Sequence, residues 1–190
     1  MDIFHNLLGK IAKAFDLHQL PYMLIGGQAV LQYGRPRLTE DIDVTLGVDS
    51  SSLSLVVEAV SEIPLSPRVR DVEGMVMKTN VLPLVDPGSG VKVDCIFSFL
   101  PYERQAINRA NRIAVSGQTV RVAAVEDVII HKLVAGRPRD IEDVVGIVNL
   151  SGTRIDREYL FSWLDSFSEV VGKSLRTEFD DIENILKKKG

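Results

Sequence analysis

Two segments that alternate apolar and polar residues constrain the fold most, because each must be a strand with one buried and one wet face. Segment 41–46 reads Asp-Ile-Asp-Val-Thr-Leu, and segment 91–97 reads Val-Lys-Val-Asp-Cys-Ile-Phe. Side chains two residues apart on a strand share a face, so Asp41 and Asp43 project together. Asp94 occupies the polar face of the second strand. The sequence therefore predicts a sheet with carboxylates on one face.

Periodic segments along the rest of the chain predict mixed strands and helices up to residue 124 and helices afterwards. We expect an α/β (α+β) fold, in which a small mixed or antiparallel sheet is flanked by helices and followed by a C-terminal helical segment. The expected domains are a core at 1–124 and a helical region at 125–190. The predicted helices are 3–15, 28–33, 50–62, 102–110, 125–134, 141–148, 159–167 and 175–186, and the further strands are 22–25, 75–84, 112–115 and 119–122.

Composition excludes several classes of protein. The chain has 190 residues, a net charge of -4 and a single cysteine, Cys95, so it has no internal disulfide framework. No apolar run reaches the roughly 18 residues of a membrane span, and the first residues do not resemble a signal peptide. We therefore expect a cytoplasmic protein without a membrane partner. The acidic balance also argues against a uniformly basic nucleic-acid coat.

A glycine pair follows the short apolar run at 22–25. Gly26 and Gly27 stand between this predicted strand and a predicted short helix. Glycines at such a turn let backbone N–H groups at a helix start approach phosphate oxygens, which the helix dipole also favours. The plainer alternative is that the pair only makes a turn.

Three carboxylates on one sheet face would repel one another unless a cation neutralised them. Hard oxygen ligands in that number suit Mg²⁺ or Mn²⁺, and such an ion suggests a triphosphate substrate and an in-line displacement at phosphorus. The alternative is that Asp41, Asp43 and Asp94 are ordinary solvent-facing residues, since Asp-x-Asp pairs are common by chance. Their order after the glycine turn favours the metal site.

In this order, the motifs resemble the nucleotidyltransferase superfamily with the polymerase β-like fold, and within it the AbiEii-type toxin branch. The resemblance covers roughly residues 20–148. It rests on Leu-Ile-Gly-Gly-Gln-Ala at 24–29, Arg-Leu-Thr-Glu-Asp-Ile-Asp-Val at 37–44 and Lys-Val-Asp at 92–94. A looser match joins His-Lys-Leu at 131–133 to Arg-Pro-Arg-Asp-Ile-Glu-Asp-Val at 137–144.

The resemblance implies a role for each matching residue. Metal ligands would be Asp41, Asp43 and Asp94, with Asp94 also activating the attacking hydroxyl. The NTP donor would be bound by Gly26, Gly27, Arg37 and Thr39. Lys132 and Asp140 would complete the catalytic set. The implied reaction moves an NMP from an NTP to a hydroxyl, and a role as a toxin with a cognate antitoxin follows from the resemblance alone.

Ordinary structural roles remain open for the later motif. Lys132 is equally well explained as a solvated helix lysine, and Asp140 as a helix N-cap. His131 and Asp127, four residues apart, fit a surface pair.

The acceptor and the wider function also stay open. RNA such as tRNA, a protein hydroxyl and a small molecule such as an antibiotic are compatible acceptors; cations concentrated between residues 101 and 139 suit a polyanion. The alternative functions are an antibiotic-modifying nucleotidyltransferase and a catalytically inactive nucleotide-binding or interaction module.

Overall fold

A computed structural model describes residues 3–35, 37–151 and 154–188. Its helices are α1 (Ile3–Leu17), α2 (Gly26–Tyr33), α3 (Leu53–Ser61), α4 (Val72–Thr79), α5 (Pro101–Arg109), α6 (Val125–Ala135), α7 (Pro138–Ser151), α8 (Arg157–Val171) and α9 (Leu175–Lys187). A short 3-10 helix, Ser50–Ser52, precedes α3. The strands are β1 (Tyr22–Ile25), β2 (Asp41–Leu46), β3 (Ser66–Pro67), β4 (Val81–Val85), β5 (Lys92–Phe97), β6 (Asn111–Val115) and β7 (Gln118–Val122).

The strands form one mixed sheet in the order β3-β4-β5-β2-β1-β7-β6. β2 runs parallel to β5, and β1 runs parallel to β7, while the other neighbours are antiparallel. This architecture confirms the predicted α/β class and the mixed sheet. β4 and β5, which overlap the predicted strands 75–84 and 91–97, pair as an antiparallel hairpin.

The chain divides into two compact units. The first comprises residues 1–28 and 39–123 and contains the sheet; the second comprises 29–38 and 124–190 and contains α6 to α9. Residues 29–38 thus group with the C-terminal helices. A division into folding domains at 124/125 stays a prediction, since compactness does not measure independent folding.

The core of the first unit is built on the strand alternation seen in the sequence. Ile42, Val44 and Leu46 of β2 are fully buried, as are the apolar residues at alternate positions of β5. α1 buries its apolar stripe, including Leu7, Ile11 and Phe15, as its helical spacing predicts. The opposite face of β2 and β5 carries the acidic residues.

One predicted strand was wrong over half its length. Residues 75–79 of the expected strand 75–84 lie in α4, and only residues 81–84 belong to β4. The helix is set by its ends: the Asp71 side chain accepts a hydrogen bond from the N–H of Gly74, and Asn80 adopts the left-handed conformation that closes a helix. These caps outweigh the strand preference of the apolar residues between them.

The second unit buries polar side chains along with its apolar core. Asp127 on α6 is fully buried and accepts a 2.7 Å hydrogen bond from the Tyr159 hydroxyl of α8. The expected surface pair of His131 with Asp127 was therefore wrong, because Asp127 has no exposed surface. No helix in the described ranges combines the length and apolar character needed to cross a bilayer.

Candidate active site

The strand register brings two of the predicted carboxylates side by side. Asp43 on β2 lies directly opposite Asp94 on the parallel strand β5, and Asp41 lies opposite Lys92. Opposed residues on neighbouring strands are about 4.8 Å apart and point to the same face. Asp41 is exposed, whereas Asp43 and Asp94 are half-buried. The fold thus places all three acidic residues on one face.

Gly26 provides the space in which the Asp43 carboxylate sits. The residue starts α2 with a φ of +62°, a conformation that favours glycine. A Cβ atom at this position would lie 2.0 Å from Asp43 Oδ2. Gly27 is buried beside it. The first-turn N–H groups of α2 lack helical acceptors and form the positive end of the helix dipole, so Gly26 and Asp43 bring a carboxylate and a helix start together.

Thr39 is placed next to the first aspartate. Its hydroxyl donates to the backbone oxygen of Asp41 at 3.2 Å and lies 3.4 Å from Asp41 Oδ1. Thr39, which was predicted to bind the triphosphate, therefore stabilises the first residue of β2 in this structure.

Asp94 has a cationic partner that the sequence did not indicate. The Nη2 group of Arg68 donates to Asp94 Oδ1. The Nε group of Arg68 donates to the backbone oxygen of Leu84 at 3.1 Å, and its backbone N–H donates to Pro83 O at 2.9 Å. This residue follows β3 directly, so the edge of the sheet carries it to Asp94.

The residues on this face suit a divalent cation in kind, and the strand register brings them to one face. Three carboxylates on adjacent strands are the hard donors that Mg²⁺ and Mn²⁺ prefer, and the bare Cα of Gly26 leaves room for the Asp43 carboxylate. Within residues 3–35, 37–151 and 154–188, no three acidic, histidine or cysteine side chains are gathered as a metal site. The strand register therefore brings the three aspartates to one face, but their side chains are not gathered around one point. The Asp94 carboxylate is bonded to Arg68.

The later motif forms a separate network inside the second unit. Lys132 is buried, and its Nζ lies 2.7 Å from Asp140 Oδ1 and 2.9 Å from Asp143 Oδ2. The side chains of both aspartates are about as buried as the lysine. The structure therefore brings Lys132 and Asp140 together, and the interpretation of Lys132 as a solvated helix lysine was wrong.

Two arginines complete this network. Arg37 makes a two-pronged bond to Asp143, at 2.8 Å from Nε and 3.0 Å from Nη2. Arg137 donates to Asp140 from Nε at 2.6 Å. Burial raises the pKa of Asp140, but hydrogen bonds from Arg137 and Lys132 outweigh it and hold that pKa below its ordinary value. A phosphate contact by Arg37 would require exchange of its bond to Asp143.

Asp140 has a helix-capping role as well, in a form that differs from the expected N-cap. It lies in the first turn of α7, and its Oδ2 accepts from the backbone N–H of Arg137, which precedes the helix, at 3.3 Å. The same carboxylate thus closes the helix start and pairs with Lys132.

A cavity of about 740 Å³ lies along α7 within the second unit. Arg35 and Arg37 line it together with Val145, Asn149 and Leu186. Its volume falls in the range of small-molecule sites, roughly 300–1,000 Å³. Arg37 therefore borders a space of ligand size while Asp143 holds its guanidinium.

Asp143 and Arg68 are the site residues that the sequence reasoning missed. Asp143 follows Asp140 by three residues, a helical spacing that places both on one face and could have indicated a shared partner. Arg68 lies in a segment of little periodicity, and only the pairing of β3 with β4 shows where it points.

Comparison with known proteins is consistent with this geometry. The family model described as nucleotidyl transferase AbiEii toxin, type IV TA system, matches residues 7–184. No curated protein sequence matches the chain significantly.

Several solved structures share the fold. A nucleotidyltransferase-like antigenic protein from Paracoccidioides brasiliensis is 17% identical over 93% of this chain and 91% of that chain, with a TM-score of 0.55. The antibiotic-resistance factor ANT(2'')-Ia is 19% identical over 97% of each chain, with a TM-score of 0.56. The lincosamide antibiotic adenylyltransferase LnuA, bound to lincomycin, is 14% identical over 75% of this chain and 94% of that chain, with a TM-score of 0.52.

At these identities the solved structures establish the fold, and the family match supplies the activity. It spans nearly the whole chain, including the glycine turn, the three aspartates and the Lys132 network. The chain therefore belongs to the AbiEii nucleotidyltransferase family and is an enzyme of nucleotidyl transfer.

Proposed function

We propose that this enzyme transfers an NMP from an NTP to a hydroxyl group with release of pyrophosphate, and that the transfer depends on Mg²⁺ or Mn²⁺. The observation that carries the proposal is the register of β2 and β5, which sets Asp43 beside Asp94 on the face that also carries Asp41. The metal would be held by these three carboxylates. When bound, such an ion neutralises phosphate charge and stabilises the oxygens of the displacement.

The chain's own groups divide the remaining work. Asp94 would accept the proton of the acceptor hydroxyl. The oxygen of that hydroxyl would bond to the α-phosphorus while the bond from this phosphorus to the pyrophosphate oxygen breaks. The N–H groups at the start of α2, at Gly26 and Gly27, would bind the outer phosphate oxygens. Thr39 would fix the Asp41 segment through its bond to the Asp41 backbone. Each role is supported by the placement of these residues in the first unit.

For the second unit we propose a supporting electrostatic role. Lys132 carries a buried ammonium group that is paired with the carboxylates of Asp140 and Asp143, both on α7. Lys132 would bind a phosphate oxygen as a point charge by exchanging one of these carboxylate contacts for it. Arg37, held by Asp143, would be a second cation of the same network.

The biological role is proposed from the family description. A toxin of a toxin–antitoxin system must modify something its own cell needs, so RNA or a protein hydroxyl suits that role better than an antibiotic. ANT(2'')-Ia and LnuA act in antibiotic modification, which keeps a small-molecule acceptor as the competing proposal. A cognate antitoxin is the expected partner in the toxin case.

Labelled transfer tests the activity and identifies the acceptor together. Each α-labelled NTP is incubated with the enzyme, Mg²⁺ and one of four acceptors: tRNA, total RNA, a protein fraction, or an aminoglycoside and lincosamide mixture. We expect label in one acceptor and loss of that label in Asp43→Asn, because the substitution removes a ligand charge beside Asp94. Asp181→Asn makes the same chemical change at an exposed position of α9 and should transfer normally.

Equal transfer by Asp43→Asn and the unsubstituted enzyme would contradict the proposal that the face carrying Asp41, Asp43 and Asp94 is the active site. Transfer that persists in EDTA would contradict the metal dependence alone. Label in the antibiotic mixture and not in RNA or protein would contradict the toxin proposal but leave the chemistry intact.

A further inference from the structure

Arg68 occupies one of the two carboxylate oxygens of Asp94, a proposed metal ligand. Its Nη2 group donates to Asp94 Oδ1, and both side chains keep 31% of their surface exposed. The contact is therefore only partly buried. The guanidinium is also fixed by its Nε group, which donates to Leu84 O at 3.1 Å. A cation therefore already neutralises the third carboxylate of the proposed site.

The sheet fixes this cation in position through its backbone. The N–H of Arg68 bonds to Pro83 O, and Pro83 lies directly opposite Asp94 in the β4–β5 register. Because the guanidinium is planar, turning its Nη2 group away from Asp94 also breaks the Nε bond to Leu84 O. The backbone bond of Arg68 to Pro83 O can remain, so no strand needs to move. The geometry thus allows release of Asp94 by a side-chain rotation.

The sheet face that carries Asp41, Asp43 and Asp94 explains why a cation beside Asp94 stabilises the metal-free enzyme. Asp43 and Asp94 are neighbours in register, and like charges at this separation repel. In the described part of the chain the acidic groups are not gathered around a common point. Arg68 instead draws the Asp94 carboxylate toward β3, at the edge of the sheet.

We infer that Arg68 is a built-in competitor of the divalent cation: it holds Asp94 in the metal-free enzyme and must release it before the metal binds all three carboxylates. This inference rests on the proposed metal-dependent function. It makes Arg68 a positioning residue that acts through Asp94. A ligand group that is already paired reduces apparent metal affinity by the free energy of the pairing.

Mn²⁺ titration of the full chain, followed by calorimetry or by the EPR signal of free Mn²⁺, tests the inference without NTP or acceptor. In Arg68→Gln we expect Mn²⁺ to bind roughly threefold to tenfold more tightly, the range for loss of a half-exposed charged pair. Arg68→Lys keeps a competing charge and should fall between this variant and the unsubstituted chain. Circular dichroism confirms that each variant is folded.

Two comparisons separate direct competition from general electrostatics. Arg70→Gln removes the same charge from an exposed residue two positions along and should change the affinity by less than about twofold, because salt screens distant charges. In an Asp94→Asn background, Arg68→Gln should give no gain, since the contested carboxylate is gone.

Each outcome decides the question. Unchanged or weaker Mn²⁺ binding in Arg68→Gln would overturn the inference, and weaker binding would mean that Arg68 prepares Asp94 for the metal. A gain that survives in the Asp94→Asn background would overturn it as well. Absence of Mn²⁺ binding to every variant would overturn the inference, whereas the metal dependence of transfer, in which NTP phosphates also supply ligands, is decided separately by the EDTA assay.

Discussion

Replacing Gly26 by alanine tests the contact on which the active-site geometry depends. The added Cβ would lie 2.0 Å from Asp43 Oδ2, whereas ordinary contact begins at 3.4 Å, so the carboxylate must retreat by about 1.4 Å. A misplacement of roughly 1 Å in a reacting group can cost about 100-fold in rate. We therefore expect nucleotidyl transfer by Gly26→Ala to fall by at least about 100-fold.

The same substitution also strains the backbone, and this effect needs its own control. Gly26 has a φ of +62°, and an L-residue in that region costs roughly 1–2 kcal/mol. Gly117 has a φ of +78° with nothing within 4 Å of an added Cβ, so Gly117→Ala carries the strain without the collision. Urea denaturation should show Gly117→Ala destabilised by about 1–2 kcal/mol and Gly26→Ala by at least as much, because the collision adds to the strain.

Activity then distinguishes the two glycines. Label transfer at saturating NTP should be close to normal in Gly117→Ala and nearly absent in Gly26→Ala. Normal transfer by Gly26→Ala would refute the argument that the Asp43 carboxylate requires the bare Cα of that glycine.

Two further predictions concern buried charge in the second unit. Lys132→Met removes the cation between two buried carboxylates and should lower the free energy of unfolding by about 3–5 kcal/mol in urea, whereas Lys173→Met, at an exposed pair, should cost less than about 1 kcal/mol; equal costs would contradict the buried network. Burial and the nearby Lys132 charge lower the pKa of His131 from 6.5 to about 4. Between these pH values the histidine is therefore protonated in the unfolded chain and neutral in the folded chain. Stability should therefore fall by up to about 3 kcal/mol as the pH drops from 6.5 to 4, and His131→Gln, unlike the exposed His5→Gln, should flatten that fall; an unchanged slope would contradict the burial of the ring.

The sequence predicts well those features that depend on short periods. Alternation in 41–46 and 91–97 correctly indicated two half-buried strands, and the shared polar face of Asp41 and Asp43 followed from their spacing. The pairing of Asp43 with Asp94 requires the order and direction of strands, which the alternation does not contain. The carboxylate face was therefore predictable as a set of residues, and its register was not.

Features that depend on capping or on distant contacts were harder to predict. The start of α4 is decided by a single side chain, Asp71, which outweighs an apolar pattern that also fits a strand. Arg68 reaches Asp94 only because β3 pairs with β4, and Asp143 joins Lys132 to Arg37 across a sequence separation of more than one hundred residues. Such partners become visible only in the folded chain.

A crystal structure of the enzyme with Mn²⁺ and a non-hydrolysable NTP analogue tests the central claim most directly. The anomalous signal of manganese should appear on the β2–β5 face, at about 2.0–2.3 Å from carboxylate oxygens of Asp41, Asp43 and Asp94. The outer phosphates should lie at the start of α2. Bound nucleotide with manganese elsewhere on the protein would contradict the three-carboxylate site.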